Sequence, residues 1–285
     1  MISERLGGAL FIAGSAIGFG AMAIFGKIVF GSGASTATVL FFRFLAAGTL
    51  MVLLMVSLKQ PWPRGRDLGT LILMGSLGYA GQSFCFFSAL QHATAGLTGL
   101  LLYLYPALVI IGSAALGRRK LTIAKMMLAL LALFGILLTV TGGLAGSPTG
   151  IAFGLGAALV YTVYILVGEG VIGRTGAVSA GCVIMLSAAA VFGTAMIIEG
   201  PGYPTALEGW LAVAAIAVVS TVMPIVFFFA GMRRLGASDA STLSTLEPVV
   251  TLVLAYFFLE EKLGPVQALG AGLVVAAVVV LTRLR

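Results

Sequence analysis

Glu247 and Pro248 stand side by side near the middle of an apolar stretch of membrane length, Ala237 to Leu263. Counting about nine residues into the span at 1.5 Å each puts the carboxyl about 14 Å deep, near the midplane of a hydrocarbon core about 30 Å thick. A carboxylate at that depth has two uses. It binds a cationic group, either a substrate amine or a coupling proton, or it anchors its helix by pairing with Arg43 or a backbone group. Pro248 donates no hydrogen bond and crowds the carbonyl of Ser244, four residues back. The helix therefore bends there and offers a polar backbone group to water, a neighbour or a bound molecule.

The same layout occurs earlier, from Ala95 to Leu121, with Tyr105-Pro106 in place of Glu247-Pro248, 142 residues apart. Because the proline is duplicated, its first role is to bend both copies, whereas the carboxylate belongs to one copy alone. Other polar and aromatic residues fall at helical spacing. Tyr79, Gln82, Ser83 and Phe86 share one face, as do Tyr161 and Tyr164, and a stripe of that kind faces a cavity or another helix rather than lipid. The 142-residue shift sets Tyr161 and Tyr164 opposite Phe19 and Met22, pairs Tyr103 with Thr245, and pairs Gln82 with Pro224, which should bend its own helix. Together these residues would line an aromatic, weakly polar pocket; the alternative is helix packing with aromatic belts. Arg43, about seven residues into its span, is expected near one leaflet, where it snorkels, pairs with a carboxylate or attracts a substrate carboxylate. Lys27 and Glu169, related by the same shift but opposite in charge, are gate or interface candidates or plain span-end charges. His92 reads as a solvated loop residue.

The elements that must position these groups are membrane helices. The chain is 60% hydrophobic and only 9% charged, with a mean hydropathy of +1.17, whereas soluble domains carry roughly 25% charged residues. Breakers and polar clusters divide it into ten candidate helices: about 6–30, 36–58, 68–90, 95–116, 123–141, 151–170, 177–198, 210–232, 238–259 and 266–284. The net charge of +7 comes from Arg and Lys at the termini and even-numbered turns, which share one side. The positive-inside rule makes that side, with both termini, cytoplasmic; nucleic acid is not expected as a partner. The first apolar run is too long for a signal peptide and reads as an uncleaved span. Cys85 and Cys182 lie in apolar segments and read as packing residues.

At the constant 142-residue shift, Gly8, Phe11, Gly14, Ala16 and Gly26 fall on Gly150, Phe153, Gly156, Ala158 and Gly168, and Phe86, Phe87, Pro106, Lys120 and Leu121 fall on Phe228, Phe229, Pro248, Lys262 and Leu263. The expected fold is thus an all-α membrane protein of ten transmembrane helices, arranged as two five-helix inverted repeats, 1–142 and 150–285. An odd number of spans per half inverts the second half, and inverted halves place a binding site near the midplane between them. The sequence ALQHATAG at Ala89 to Gly96, the mid-helix Pro106, GRRKLT at Gly117 to Thr122, Gly231 to Gly236, Glu247-Pro248, LEEKLG at Leu259 to Gly264, and Arg43 in helix two resemble the paired EamA repeats of the drug/metabolite transporter superfamily, most nearly the YddG-type amino-acid exporters. That resemblance implies ten helices, both termini inside, and export of small metabolites by alternating access.

The sequence holds no Ser/Cys-His pairing, Walker loop or dinucleotide fingerprint; neither an enzyme activity nor a cofactor or metal is expected. The expected function is a secondary-active or facilitative exporter of small metabolites, aromatic or apolar amino acids first, with one repeat rocking against the other. The expected partners are a small-molecule substrate and the lipid bilayer, the chain being a monomer or weak homo-oligomer in the bacterial inner membrane. Multidrug efflux of lipophilic compounds, or a non-transporting assembly or lipid-handling protein, are the alternatives.

Overall fold

The computed structural model describes residues 2–117, 122–141, 146–235, 243–244 and 246–283. The motif residues Arg118 to Leu121 and Gly236, and the site candidate Thr245, lie outside the described residues, as does the side chain of Glu169. Among the described residues seven helices are long and apolar enough to cross a membrane: α1 (Glu4–Gly31), α2 (Thr36–Ser57), α3 (Gly65–His92), α4 (Ala95–Ala115), α6 (Pro148–Gly168), α7 (Ala177–Glu199) and α8 (Leu207–Met232). Three apolar helices are shorter: α5 (Ile123–Thr139), α9 (Leu246–Leu259) and α10 (Pro265–Val280). Ile197 and Phe257, 81% and 73% exposed, belong to an apolar outer surface of the kind a bilayer covers.

Each helix finds a broad interface in the opposite half of the chain. Helices α2 and α7 pack along each other, as do α5 and α10, each with its own counterpart under the 142-residue shift. The remaining helices form two groups, α1 with α8 and α9, and α3 with α4 and α6. The shift exchanges these groups, since it carries α1 onto α6, α8 onto α3 and α9 onto α4. Each group thus draws helices from both halves of the chain. Small residues allow the crossings: a Cβ on Gly18 would sit 2.5 Å from the Val219 carbonyl oxygen, so α1 meets α8 backbone to backbone.

Three helices depart from regular geometry where they face the interior. Helix α3 passes through a π-helical turn at Met74–Tyr79, and α8 through another at Val218–Val222. The 142-residue shift overlays these two turns and makes Tyr79 and Thr221 counterparts. The wider turn in α8 lets the Thr221 hydroxyl donate to the carbonyl of Ile216, five residues back, at 2.8 Å. Helix α4 breaks at Tyr103 and Leu104, just before Pro106, which sits in the first turn of the segment Tyr105–Ala115. Pro248 stands in the first turn of α9, and Pro224 follows the π-helical turn of α8, its carbonyl accepting from the Ser15 hydroxyl at 2.8 Å.

At one end of the bundle the connections bind one another. Thr205 donates its N–H and its hydroxyl to the Ser32 carbonyl at 3.0 and 2.8 Å, and Ser35 N–H donates to the Gly202 carbonyl at 2.9 Å. The Glu261 carboxylate, from the α9–α10 connection, accepts from the N–H groups of Ala95 at 2.7 Å and Gly96 at 3.0 Å, capping α4. Charge-assisted bonds to free helix-start donors are among the stronger ones a protein makes.

Candidate functional site

Between the two helix groups lies a cavity of about 320 Å³. Helix α1 contributes Phe19, Gly20, Met22 and Ala23; α8 contributes Ile225 and Phe228; α9 and the residues before it contribute Ser244, Glu247 and Thr251. The facing wall comes from Tyr79, Gln82, Ser83 and Phe86 of α3, from Gly99, Leu102, Tyr103 and Tyr105 of α4, and from Tyr161 of α6. Arg43 reaches the same space from α2. Each wall is thus one of the symmetry-related groups.

One wall carries a continuous run of rings. Phe44 and Tyr79 are 5.4 Å apart between centroids, Tyr79 and Tyr164 5.7 Å, Tyr164 and Tyr161 5.7 Å, Tyr161 and Tyr105 4.8 Å, and Tyr105 and Tyr103 5.8 Å. Edge-to-face and stacked pairs at these separations hold each other in place. Such a surface accepts an apolar or aromatic body while offering polar contacts around it.

Polar groups tie the walls together. The Tyr103 hydroxyl donates to the Ser244 carbonyl at 3.0 Å and also faces the Glu247 carboxyl within hydrogen-bonding reach. Thr251, one turn beyond Glu247, donates to the Gly20 carbonyl at 3.0 Å, fixing α9 against α1. The Ser83 hydroxyl occupies the Gln82 carbonyl oxygen at 3.2 Å. Arg43 is 2% exposed; its Nε donates to the Thr221 hydroxyl at 3.1 Å and its Nη2 to the Tyr79 hydroxyl at 3.3 Å.

The structure gathers nine of the residues singled out from spacing into this cavity: Phe19, Met22, Tyr79, Gln82, Ser83, Phe86, Tyr103, Tyr161 and Glu247. Tyr164 stacks behind Tyr161 at 14° between planes. Pro106, Pro224 and Pro248 are not among the residues that line the space. Lys27 lies away from it, in the field of Glu261. Arg43 lines the cavity rather than snorkelling to a leaflet. Spacing alone missed Tyr105, Thr251 and Ser244. Tyr105 was legible as the counterpart of Glu247, and Thr251 as the hydroxyl four residues, hence one face, beyond it. A broader depression of about 760 Å³ between Arg66, Asp67 and Arg174 lies at the opposite end, bridged by the Arg174–Asp67 ion pair at 2.6 Å.

Comparison with known proteins places this geometry. The model of the EamA-like transporter family matches twice, over residues 6–141 and 148–283. The chain is 29% identical to an uncharacterized transporter, YcbK, of Bacillus subtilis strain 168, over 95% of this chain and 91% of that one. It is 28% identical to the threonine/homoserine exporter RhtA of Escherichia coli K12, over 82% of this chain and 77% of that one. It is 26% identical to a probable terminal-alkyne amino-acid exporter of Streptantibioticus cattleyicolor, over 78% and 75%. A solved crystal structure shares the fold, with a TM-score of 0.68 at 22% identity over 96% of this chain and 95% of its own. With two family repeats filling nearly its whole length and its helices apolar to the outside, the chain is a multi-pass membrane protein that belongs to the EamA-like transporter family.

Proposed function

We propose that the protein exports small metabolites, amino acids with aromatic or apolar side chains foremost, by alternating access around the cavity between the two helix groups. The observation that carries this reading is the cavity itself: one small space, walled by two symmetry-related groups, with a tyrosine run on one side and Glu247 on the other. Symmetry makes opening toward either membrane face a near-equivalent arrangement, with α1, α8 and α9 moving against α3, α4 and α6. Glu247 receives the substrate amine, and the rings receive its side chain. Relatives named as exporters of threonine/homoserine and of a terminal-alkyne amino acid support the same cargo class.

Multidrug efflux is the second reading, and the cavity argues against it on two grounds. Its volume of about 320 Å³ is at the small end of the roughly 300–1,000 Å³ range of ligand pockets. Arg43 in its wall repels lipophilic cations. The arginines and lysines at the termini and even-numbered turns support an inner-membrane orientation with both termini cytoplasmic.

Counterflow of labelled phenylalanine and threonine into proteoliposomes tests the proposal. Wild-type protein is expected to exceed empty liposomes clearly, and Glu247→Gln to fall about tenfold or more, the effect of losing one charge-assisted contact of roughly 1.5–3 kcal/mol. Wild-type uptake equal to that of empty liposomes for a full amino-acid panel refutes the assignment.

A further inference from the structure

Arg43 is a charge for which the packing supplies no counter-charge. It is buried to within 2% of its surface, in the bundle interior, and its neighbours are hydroxyls and rings: Thr221, Tyr79, and the faces of Phe44 and Phe87 at 4.8 and 5.5 Å from the guanidinium carbon. Among the described residues no carboxylate pairs with it. Removing an ion from water costs several kcal/mol that neutral dipoles and ring faces offset only in part. The symmetry of the fold does not demand the charge either. The 142-residue shift places Met185 at the counterpart position on α7, where it is buried at 3% exposure, so an apolar side chain meets the packing requirement there.

The hydrogen bonds of Arg43 use only part of its fork. Nε and Nη2 are used, whereas among the described residues Nη1 has no hydrogen-bond partner, and Arg43 is one of the residues that line the cavity. The Tyr79 hydroxyl accepts from Nη2, so its own proton is free to donate. The Thr221 hydroxyl has already given its proton to Ile216, which fixes it as an acceptor for Nε and holds the fork in one orientation. Of the described residues lining the cavity, the charged ones are Arg43, from the first half, and Glu247, from the second. One cation and one anion around a small neutral space match a zwitterion.

We propose that Arg43 is the receptor for the substrate carboxylate, with Nη1 and the Tyr79 hydroxyl as its donors, so that the cavity selects zwitterions carrying both an ammonium and a carboxylate. This rests on the amino-acid reading of the same cavity and sharpens it. Arg43 discriminates an amino acid from its carboxamide and from the corresponding amine, both of which keep the cation and the side chain but lose the anion. Because Arg43 holds Tyr79 of one helix group and its counterpart Thr221 of the other, an arriving carboxylate acts on both groups at once.

The test uses counterflow of labelled phenylalanine in proteoliposomes, competed by phenylalanine, phenylalaninamide and phenethylamine, on wild type, R43M and R43K. R43M borrows the side chain that the counterpart position already accommodates, and R43K keeps the charge but not the planar fork. For wild type, the amide and the amine are expected to compete about 10- to 100-fold more weakly than the amino acid, the range for one charge-assisted bond. R43M should bring the amino acid down to the level of the amide, and R43K should fall between. Wild type that transports no amino acid removes the functional reading itself. Wild type that transports amino acids but is competed equally by the amide overturns the Arg43 assignment alone, as does an R43K protein with an unchanged amino-acid-to-amide ratio.

Discussion

Tyr103 ties one wall of the cavity directly to the other, since its hydroxyl leaves α4 and reaches the Ser244 carbonyl before α9 at 3.0 Å. Tyr103→Phe keeps the ring against Tyr105 and removes that donor, leaving a carbonyl near Pro248 with one fewer partner. The expected result is a loss of about 0.5–1.5 kcal/mol, or several-fold in apparent affinity, read as the half-saturating amino-acid concentration in counterflow. At this scale the sequence was informative where two signals coincided. Tyr79, Gln82, Ser83 and Phe86 share helical spacing and polar or aromatic character, and all four line the cavity. For Arg43 the sequence left three roles open, because depth along a single helix says how far a residue lies from a membrane face and nothing about how far the cavity extends sideways. Tyr105 was overlooked because a comparison of counterparts draws attention to what differs, whereas here both counterparts, Tyr105 and Glu247, face the same space.

Hydropathy locates helices by composition, so the positions of the apolar helices among the described residues were readable from breakers and charges. The π-helical turns at Met74–Tyr79 and Val218–Val222 were not. An extra residue in a turn leaves composition unchanged and shifts only the phase of the helix beyond it. Crossing distances are equally invisible to composition. A Cβ on Gly270 would stand 2.5 Å from the Gly135 carbonyl oxygen, and one on Gly135 would stand 2.7 Å from the Gly270 carbonyl oxygen, so α5 and α10 touch backbone to backbone. Gly270→Ala therefore forces the pair apart, at an expected cost of about 1–3 kcal/mol, seen as a lower melting temperature in detergent. That pair lies off the cavity, so residual transport by the folded fraction should keep its amino-acid-to-amide preference. The cap on α4 joins two of the sequence motifs that suggested the family, because Glu261 of LEEKLG binds the N–H groups of Ala95 and Gly96 at the end of QHATAG.

The whole molecule is organised by the exchange of its helix groups under one shift of 142 residues. The repeat was visible in the sequence, but which helices associate was not, since the shift fixes equivalence and leaves partnership open. If the two groups move against each other, cysteines placed at Tyr79 and Tyr103 should be reached by membrane-impermeant reagents from different sides in different states of the cycle. Labelling from one side only, with and without substrate, would argue against alternating access. The interlocking also has a meaning in time. The main partner of α1 is α8, made almost two hundred residues later, and α2 waits for α7, a shorter but still long stretch of chain. Contacts so distant in sequence form late. Until α8 arrives with Thr221, the newly inserted Arg43 has only the Tyr79 hydroxyl and nearby rings to hold it in the bilayer. The first half alone is therefore an incomplete structure, in which Arg43 lacks the Thr221 acceptor that fixes its orientation in the finished bundle.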